Sequence, residues 1–341
     1  MEDLPVAKEH SVLYYKRMIA ATLAAIILIL TILTVVFSVS FFRSRAKARM
    51  MSGRLEELEV AEMQRLAEEE AERIRNAIPP ERAKPEGERS APQILADSRI
   101  ALHAFGSVDE IAGLNCLEGF LEHYNEGVRV FEVDLRLTSD GYAVLRHDWL
   151  AGVQSGVDQT HIPTLEEFLS KPIHGKYTPL SFRDLLMLMA DYPDICVITD
   201  TKLLDNEAVT EQFRSMVRDA QKLGMSYLFD RVIVQVYSPE HYTIVEGVHH
   251  FPHYIYTLYQ DYFGQNEESF QNKVNFCVEQ HIMGLTLNVD VWKPDYIKIS
   301  NEGKINVYLH TVNDPTQAKM LLNDGVKAVY TDFLNPKDLE G

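Results

Sequence analysis

The 341-residue sequence has only three cysteines, Cys116, Cys196 and Cys277, and they lie far apart. No disulfide framework and no thiolate metal site follow from so few and so widely spaced thiols. Basic residues are also scarce, with 33 Lys and Arg against 50 Asp and Glu and a formal net charge of −17. Nucleic-acid binding needs clustered positive charge, so this balance argues against nucleic acid as a partner. The sequence also contains no Asn-x-Ser/Thr sequon and no internal repeat of fixed period.

Charged residues are missing from one long segment, Met18 to Phe42. This run is long enough to cross a bilayer, which takes about 20 apolar residues. No small-residue cleavage signal follows, so we predict a retained transmembrane helix and a single-pass protein of the cell membrane. Five Lys and Arg follow the segment and three precede it. The positive-inside rule thus favours a cytoplasmic C-terminal domain, but the basic cluster also fits lipid headgroups, and the orientation stays open.

The segments on either side of this span differ in composition. Residues 1–17 form a short tail of mixed charge. Residues 43–78 are rich in Ala, Glu, Arg, Leu and Met, which is typical of a helix and predicts a solvated helical spacer. Their apolar residues keep no clean heptad, so self-association as a coiled coil is only an alternative. Pro79 and Pro80 end this helix, and a polar linker with further Pro and Gly extends to residue 93.

From residue 94 onward, short β-rich segments alternate with helical ones. The predicted strands are Ile100–His103, Val128–Asp134, Tyr142–His147, Ile195–Thr201, Arg231–Tyr237, His253–Leu258, Ile282–Asn288, Ile305–Thr311 and Lys327–Thr331. The helices predicted between them are Asn115–Asn125, Ser181–Ala190, Asn206–Leu223, Pro239–Gly247, Glu267–His281 and Pro315–Asn323. Such alternation predicts an α/β fold, a (β/α)8 TIM barrel over residues 94–341. A doubly wound open sheet is the alternative, although no Gly-rich phosphate loop follows the first strand.

Polar side chains gather where the predicted strands end, as they do at the active-site rim of barrel enzymes. Each alone could be a strand-terminal cap. Glu132 and Asp134 lie two residues apart, so both carboxylates face the same side of a strand. With Asp200 they offer only oxygen ligands, which suit one divalent cation, Ca²⁺ or Mg²⁺, better than zinc.

Two histidines and a lysine add the remaining groups that phosphodiester cleavage requires. His103 and His147 could donate and accept protons near neutral pH. Lys202 lies two residues after Asp200, shares its face and could hold a phosphate oxygen. Such cleavage needs stabilised phosphoryl oxygens, a deprotonated attacking oxygen and a protonated leaving oxygen.

From about Ser98 onward the sequence resembles the glycerophosphodiester phosphodiesterases, within the phospholipase C-like phosphodiesterases. The order and spacing of several motifs carry this resemblance. They are Glu132-Val133-Asp134 with Thr138-Ser139-Asp140-Gly141, His147-Asp148, Ile162-Pro163-Thr164-Leu165-Glu166-Glu167, Asp200-Thr201-Lys202, His310-Thr311-Val312-Asn313 and Thr331-Asp332. The resemblance implies catalytic histidines at 103 and 147, a metal on the three carboxylates, and a phosphodiester substrate at or near a membrane. Substrate contacts are expected from Lys202, Asn115, Gln235 and His310.

Three departures from the family pattern concern the substrate. Ala104 stands where the family has an Arg that contacts phosphate, Leu114 replaces a Glu, and His310 replaces a Trp that shapes the pocket. The expected substrate is a deacylated phospholipid, a lysophospholipid or a glycerol-phosphate polymer. Water or a neighbouring substrate hydroxyl could attack, the latter giving a cyclic phosphate first.

The alternative function is a catalytically weak, membrane-tethered module that binds phosphorylated lipid or polymer.

Overall fold

The computed structural model describes residues 30–43, 81–149, 161–203, 205–259 and 266–340, with a few further residues between 23 and 65. The chain forms two compact units, Met1–Ala77 and Ile78–Gly341. The predicted tail 1–17 lies outside the described residues, as do most of the spacer 43–78 and part of the span 18–42. No helix within the described residues is long and apolar enough to cross a bilayer. The transmembrane helix over residues 18–42 stays a prediction. The spacer and its self-association stay predictions.

Within the described part of the second unit, nine strands form one sheet, and eight of them are parallel. The strands are β1 (Ile100–Leu102), β2 (Val130–Leu137), β3 (Ala143–Leu145), β4 (Cys196–Thr201), β5 (Val232–Val236), β6 (Tyr254–Thr257), β7 (Gly284–Asn288), β8 (Asn306–His310) and β9 (Ala328–Thr331). β1 pairs with both β9 and β2, which closes the barrel. β3 pairs antiparallel with the end of β2 and lies outside the ring. The predicted (β/α)8 barrel is confirmed.

Helices follow most of the barrel strands. They are α1 (Ala91–Asp97), α2 (Leu117–Asn125), α3 (Leu165–Leu169), α4 (Phe182–Asp191), α5 (Asn206–Leu223), α6 (Pro239–Val248), α7 (Glu267–Glu279), α8 (Asp295–Gly303) and α9 (Pro315–Asn323). Side-chain caps explain many of their first residues. Ser181 caps α4 through the N–H of Asp184, and Asp205 caps α5 through the N–H of Ala208. The sequence predicted all of them except α1, α3 and α8.

The barrel interior closes at its amino end. Ile94 and Leu95 of α1 are buried and belong to the same apolar cluster as Val130, Ile198 and Ile233 of the strands. A larger cluster fills the space between the strands and the outer helices. Because apolar side chains close the amino end, the polar residues at the strand ends face the opposite end, where barrel enzymes place their active sites.

Residues 81–90, which the sequence assigns to the linker, contact the barrel. The backbone N–H of Arg82 donates to the carbonyl oxygen of Gly224 at 2.9 Å. The carboxylate of Glu88 lies 2.6 Å from the guanidinium of Arg231, and both side chains are almost fully buried. This segment is therefore part of the second compact unit, which begins at Ile78.

Candidate active site

Three carboxylates converge toward the carboxyl ends of β2 and β4. Glu132 and Asp134 lie on β2 with one residue between them, and Asp134 pairs with Asp200 in the register of the two strands. Alternation along the strand turns Glu132 and Asp134 to the same side. Ligand oxygens of the three residues lie within 4.8 Å of one another, and all three are buried. This spacing fits a single cation held by oxygen atoms.

The charges of this trio are only partly balanced by protein groups. Burial and the charges of Asp134 and Asp200 raise the pKa of Glu132 well above its usual value. The ammonium of Lys202 contacts Asp200 and lies 2.9 Å from Oδ1 of Asp134. Burial lowers the pKa of Lys202, but the surrounding carboxylates outweigh burial and raise it above its usual value. Three ionised carboxylates and one ammonium have a net charge of −2, so a divalent cation fits this donor set.

The turn after β1 places His103 beside the trio. Ala104 has a φ of 46°, a left-handed conformation that is uncommon outside glycine. Gly106 continues the turn with a φ of 84°, and a Cβ there would overlap the ring of His123. The turn directs the backbone N–H of Ala104 to Oε2 of Glu132 at 3.1 Å. The same strained turn thus carries His103 and fixes one carboxylate.

Asn115 holds Asp134 rather than facing the cavity. Its Nδ2 donates to Oδ2 of Asp134 at 2.7 Å, and its Oδ1 accepts from the backbone N–H of Asp134 at 3.0 Å. Asn115 is fully buried and has a φ of 52°, a conformation that Asn tolerates better than most residues. Both ends of its amide contact Asp134, so Asn115 positions this carboxylate, and its predicted contact with the substrate stays a prediction. The hydroxyl of Tyr237 similarly donates to Asp200.

His103 is held by the carboxylate of Asp332, the residue that follows the last barrel strand. Its Nδ1 lies 3.1 Å from Oδ1 of Asp332, and Asn313 donates to the other oxygen of Asp332 at 2.8 Å. Burial raises the pKa of Asp332, but hydrogen bonds from His103 and Asn313 outweigh burial and lower it below its usual value. An ionised Asp332 accepts a proton-bearing Nδ1, which leaves Nε2 of His103 for proton transfer.

His147 follows β3 and has a similar arrangement. Its Nδ1 lies 2.8 Å from Oδ2 of Asp148. Its carbonyl oxygen accepts a hydrogen bond from Nε of Arg136 at 2.9 Å. The ring is mostly exposed, with 58% of its side chain accessible. Both histidines therefore have a carboxylate at Nδ1, and each has Nε2 left for chemistry.

A single cavity of about 710 Å³ connects these groups. Its lining includes both histidines, the three carboxylates and Lys202, so the structure brings the predicted acid, base and metal residues together. The remaining lining residues are Ala104, Gly113, Arg136, Tyr259, Asn288, His310, Thr311 and Asp332. The volume suits a small polar ligand.

Two predicted substrate contacts lie deeper. Gln235 lines a cavity of about 50 Å³ that also touches Glu132 and Asp200 and is roomy enough for a water molecule. His310 lines both cavities, and burial lowers its pKa to about 3, so its ring is neutral near pH 7. In the described part of the chain, His310 Nε2 and Gln235 Oε1 have no hydrogen-bond partner. Gln235 thus lies below the metal ligands, whereas His310 reaches the open cavity.

A model of the Glycerophosphoryl diester phosphodiesterase family matches residues 110–335. The chain belongs to this family. The match spans most of the barrel and includes the three converging carboxylates and His147. It confirms the family predicted from the sequence and identifies the protein as a phosphoric diester hydrolase.

Solved structures of bacterial phosphodiesterases share the fold at low identity. A phosphodiesterase from Oleispira antarctica, in complex with the product sn-glycerol-3-phosphate, is 16% identical, with a TM-score of 0.58, 72% of this chain and 96% of that one covered. A glycerophosphodiester phosphodiesterase from Parabacteroides distasonis is 17% identical, with a TM-score of 0.56, and the match covers 71% of this chain and 94% of that one. A glycerophosphodiester phosphodiesterase from Agrobacterium tumefaciens is 14% identical, with a TM-score of 0.53, and the match covers 69% of this chain and 96% of that one. No curated protein matches the chain.

Two residues at the site were missed as functional candidates from the sequence. Asp332 appeared only as part of a motif, because its contact with His103 spans 229 positions of the chain. Arg136 carried a clearer signal. It continues the period of two that Glu132 and Asp134 begin on β2, and so it points to the same side.

Proposed function

We propose that this protein is a membrane-anchored, metal-dependent phosphodiesterase that hydrolyses a glycerophosphodiester. The observation that carries the proposal is the convergence of three buried carboxylates, Lys202 and two histidines on one cavity. The substrate classes that fit are a deacylated phospholipid, a lysophospholipid and a glycerol-phosphate polymer. The product sn-glycerol-3-phosphate in the Oleispira antarctica phosphodiesterase supports a glycerol-phosphate group in the substrate.

Glu132, Asp134 and Asp200 would hold one divalent cation, Ca²⁺ or Mg²⁺, because all their donors are carboxylate oxygens. Such a cation, when bound, polarises the phosphoryl oxygens as a Lewis acid. Asn115 and the N–H of Ala104 keep two of these carboxylates in place through the hydrogen bonds described above. Lys202 neutralises an oxygen of the phosphoryl group beside the trio.

His103 and His147 share the general acid and base roles. Each ring is held at Nδ1 by a carboxylate, Asp332 for one and Asp148 for the other, so each presents Nε2 to the substrate. One accepts the proton of the attacking hydroxyl, from water or from the substrate itself, and the other protonates the leaving oxygen.

The membrane anchor in this proposal is the segment 18–42, which contains no charged residue over 25 positions. It would keep the phosphodiesterase close to lipid-derived substrates, with the barrel on one side of the cell membrane. Extraction of membranes at alkaline pH tests the anchor. Full-length protein should stay with the membrane, and its release into the supernatant would contradict a spanning segment.

Four variants test the catalytic assignment. His103→Ala and His147→Ala should each lower turnover of a glycerophosphodiester by roughly 10²–10⁴, the usual effect of losing a positioned acid or base. Both should leave divalent-cation affinity nearly unchanged, as measured by calorimetry. Glu132→Gln and Asp134→Asn should weaken cation affinity, because a neutral amide attracts a divalent cation less strongly, and added cation should partly restore their turnover.

Two outcomes would refute the assignment. One is that all four variants lose folded protein while activity per folded molecule is unchanged. The other is that the wild-type protein, with cation bound, turns over none of the three substrate classes, which would favour a module that only binds phosphorylated lipid or polymer.

A further inference from the structure

The cavity contains a second cation, Arg136, which the catalytic assignment does not use. Arg136 lies on the same face of β2 as the two metal ligands of that strand, and it lines the cavity beside His147. Its Nε donates to the carbonyl oxygen of His147 at 2.9 Å. Among the described residues, its two Nη groups have no hydrogen-bond partner, so the outer edge of the guanidinium can accept a ligand.

Lys202 and Arg136 differ in whether a carboxylate of the protein already pairs with their positive charge. The ammonium of Lys202 contacts Asp200 and Asp134, so carboxylates of the metal trio occupy two of its three donors. No carboxylate in the described part of the chain lies within ion-pair distance of Arg136. A partly buried guanidinium without a carboxylate partner is suited to an anionic ligand, and its planar fork fits phosphate or carboxylate oxygens in a bidentate manner.

The position of Arg136 separates it from the scissile phosphoryl group. On β2 it lies one two-residue repeat beyond Asp134, a step of about 7 Å along the strand toward the cavity mouth. The hydrogen bond to the His147 carbonyl keeps the guanidinium on the side of that histidine. A phosphoryl group beside the metal trio therefore has Lys202 as its near cation, and Arg136 lies farther out along the bound substrate.

Building on the proposed function, we propose that Arg136 is a specificity-determining residue that binds a second oxyanion of the substrate, a phosphate or a carboxylate. This oxyanion belongs to the alcohol on the His147 side of the scissile phosphoryl group. Diesters with an anionic alcohol are then preferred to those with a neutral or cationic alcohol. A glycerol-phosphate polymer meets this requirement because its next phosphate follows after a single glycerol unit.

A matched substrate pair tests the proposal. Glycerophosphoglycerol and its terminally phosphorylated form differ only in the second oxyanion. The wild-type protein should show a kcat/KM for the phosphorylated form that is roughly tenfold to a hundredfold higher, the range expected for a charge-assisted hydrogen bond. Arg136→Gln should bring this ratio close to one, mainly through KM. Arg136→Lys, which keeps the charge but loses the fork, should give an intermediate ratio.

Arg146→Gln is the matched control. Arg146 has the same charge and also donates to a loop carbonyl, that of Asp148 at 2.7 Å, but it does not line the cavity. The Arg146→Gln protein should keep the wild-type ratio of kcat/KM between the two substrates. The proposal is overturned if Arg136→Gln keeps that ratio, or if kcat/KM for both substrates falls by the same factor, which would place Arg136 on the scissile phosphoryl group.

A binding measurement separates this proposal from the proposed function. The His103→Ala protein, loaded with cation, should bind the phosphorylated form more tightly than glycerophosphoglycerol in calorimetry, and adding Arg136→Gln should remove the difference. If the wild-type protein turns over neither of these substrates and no lysophospholipid, the proposed function fails, and calorimetry still decides the role of Arg136. Equal affinities for the two compounds with Arg136 intact would overturn it.

Discussion

Replacing Glu88 with Gln should destabilise the barrel although Glu88 does not line the cavity. Its carboxylate is 2.6 Å from the guanidinium of Arg231, and the two side chains are only 3% and 1% exposed. Gln fills nearly the same volume, so the substitution removes the negative charge and little else. The positive charge of Arg231 then stays buried without its counter-charge.

The magnitude follows from what remains around Arg231. Removing one partner of a buried ion pair typically costs about 3–5 kcal/mol. Carbonyl oxygens of Met189, Tyr192 and Ile195 still accept hydrogen bonds from the guanidinium, which partly solvates the charge. We therefore expect a loss near the lower limit, about 3 kcal/mol in the free energy of unfolding.

Urea unfolding followed by tryptophan fluorescence measures this loss. The only two tryptophans of the chain, Trp149 and Trp292, both lie in the second unit and report on the barrel. Lys84→Gln is the control, because the pair of Lys84 with Asp230 is about one-third exposed and should contribute less than about 1 kcal/mol. The reasoning is refuted if Glu88→Gln costs no more than this control.

Truncation gives a second measurement of the same contact. A chain that begins at Ile94, the predicted domain boundary, lacks Glu88 and should be destabilised at least as much as Glu88→Gln. A chain that begins at Ile78 keeps the residue and should match the barrel stability of the full-length protein. Equal stability of the two truncated chains would show that residues 81–90 contribute nothing.

Two further predictions concern individual side chains. Asp332→Asn should lower kcat by roughly 10² and leave cation affinity unchanged, because the carboxylate that holds Nδ1 of His103 is lost while the metal ligands stay; steady-state kinetics and calorimetry check this. Burial lowers the pKa of His241 from 6.5 to about 4, so the unfolded chain binds its proton more readily. Its contribution to stability is complete above pH 6.5 and is lost as the pH falls toward 4, by up to about 3 kcal/mol. His241→Gln should flatten the dependence of unfolding free energy on pH in this window, and an unchanged slope would contradict the assignment.

Features with a regular period could be predicted from the sequence. All nine predicted strands are present, although their ends differ by a few residues, because runs of apolar β-prone residues mark buried parallel strands. Glu132 and Asp134 could be paired from their spacing alone. The strand predicted at Tyr142–His147 exists as β3, but it pairs antiparallel at the barrel edge, and no local pattern shows which neighbour a short strand will choose.

Features that depend on a few long-range contacts could not be predicted. Residues 81–90 have the Pro-rich and polar composition of a linker, yet a buried ion pair, a partly exposed one and a backbone hydrogen bond join them to the barrel. Composition records the average polarity of a segment and does not show whether one charged residue finds a buried partner. The three missed helices have weak local signals in the sequence. α1 and α3 have only seven and five residues, and α8 begins after Pro294 without a side-chain cap.

The same distinction divides the catalytic groups. Residues on strands, such as Glu132, Asp134 and Asp200, have directions set by the pleat, so spacing in the sequence gives their relative placement. Two of the residues that hold the reactive groups in position, Ala104 and Asn115, have left-handed backbone conformations in turns. Such conformations persist only because surrounding contacts determine them, and those contacts exist only in the folded chain. The sequence therefore indicates which residues carry the chemistry, whereas the residues that orient them become evident only in the folded structure.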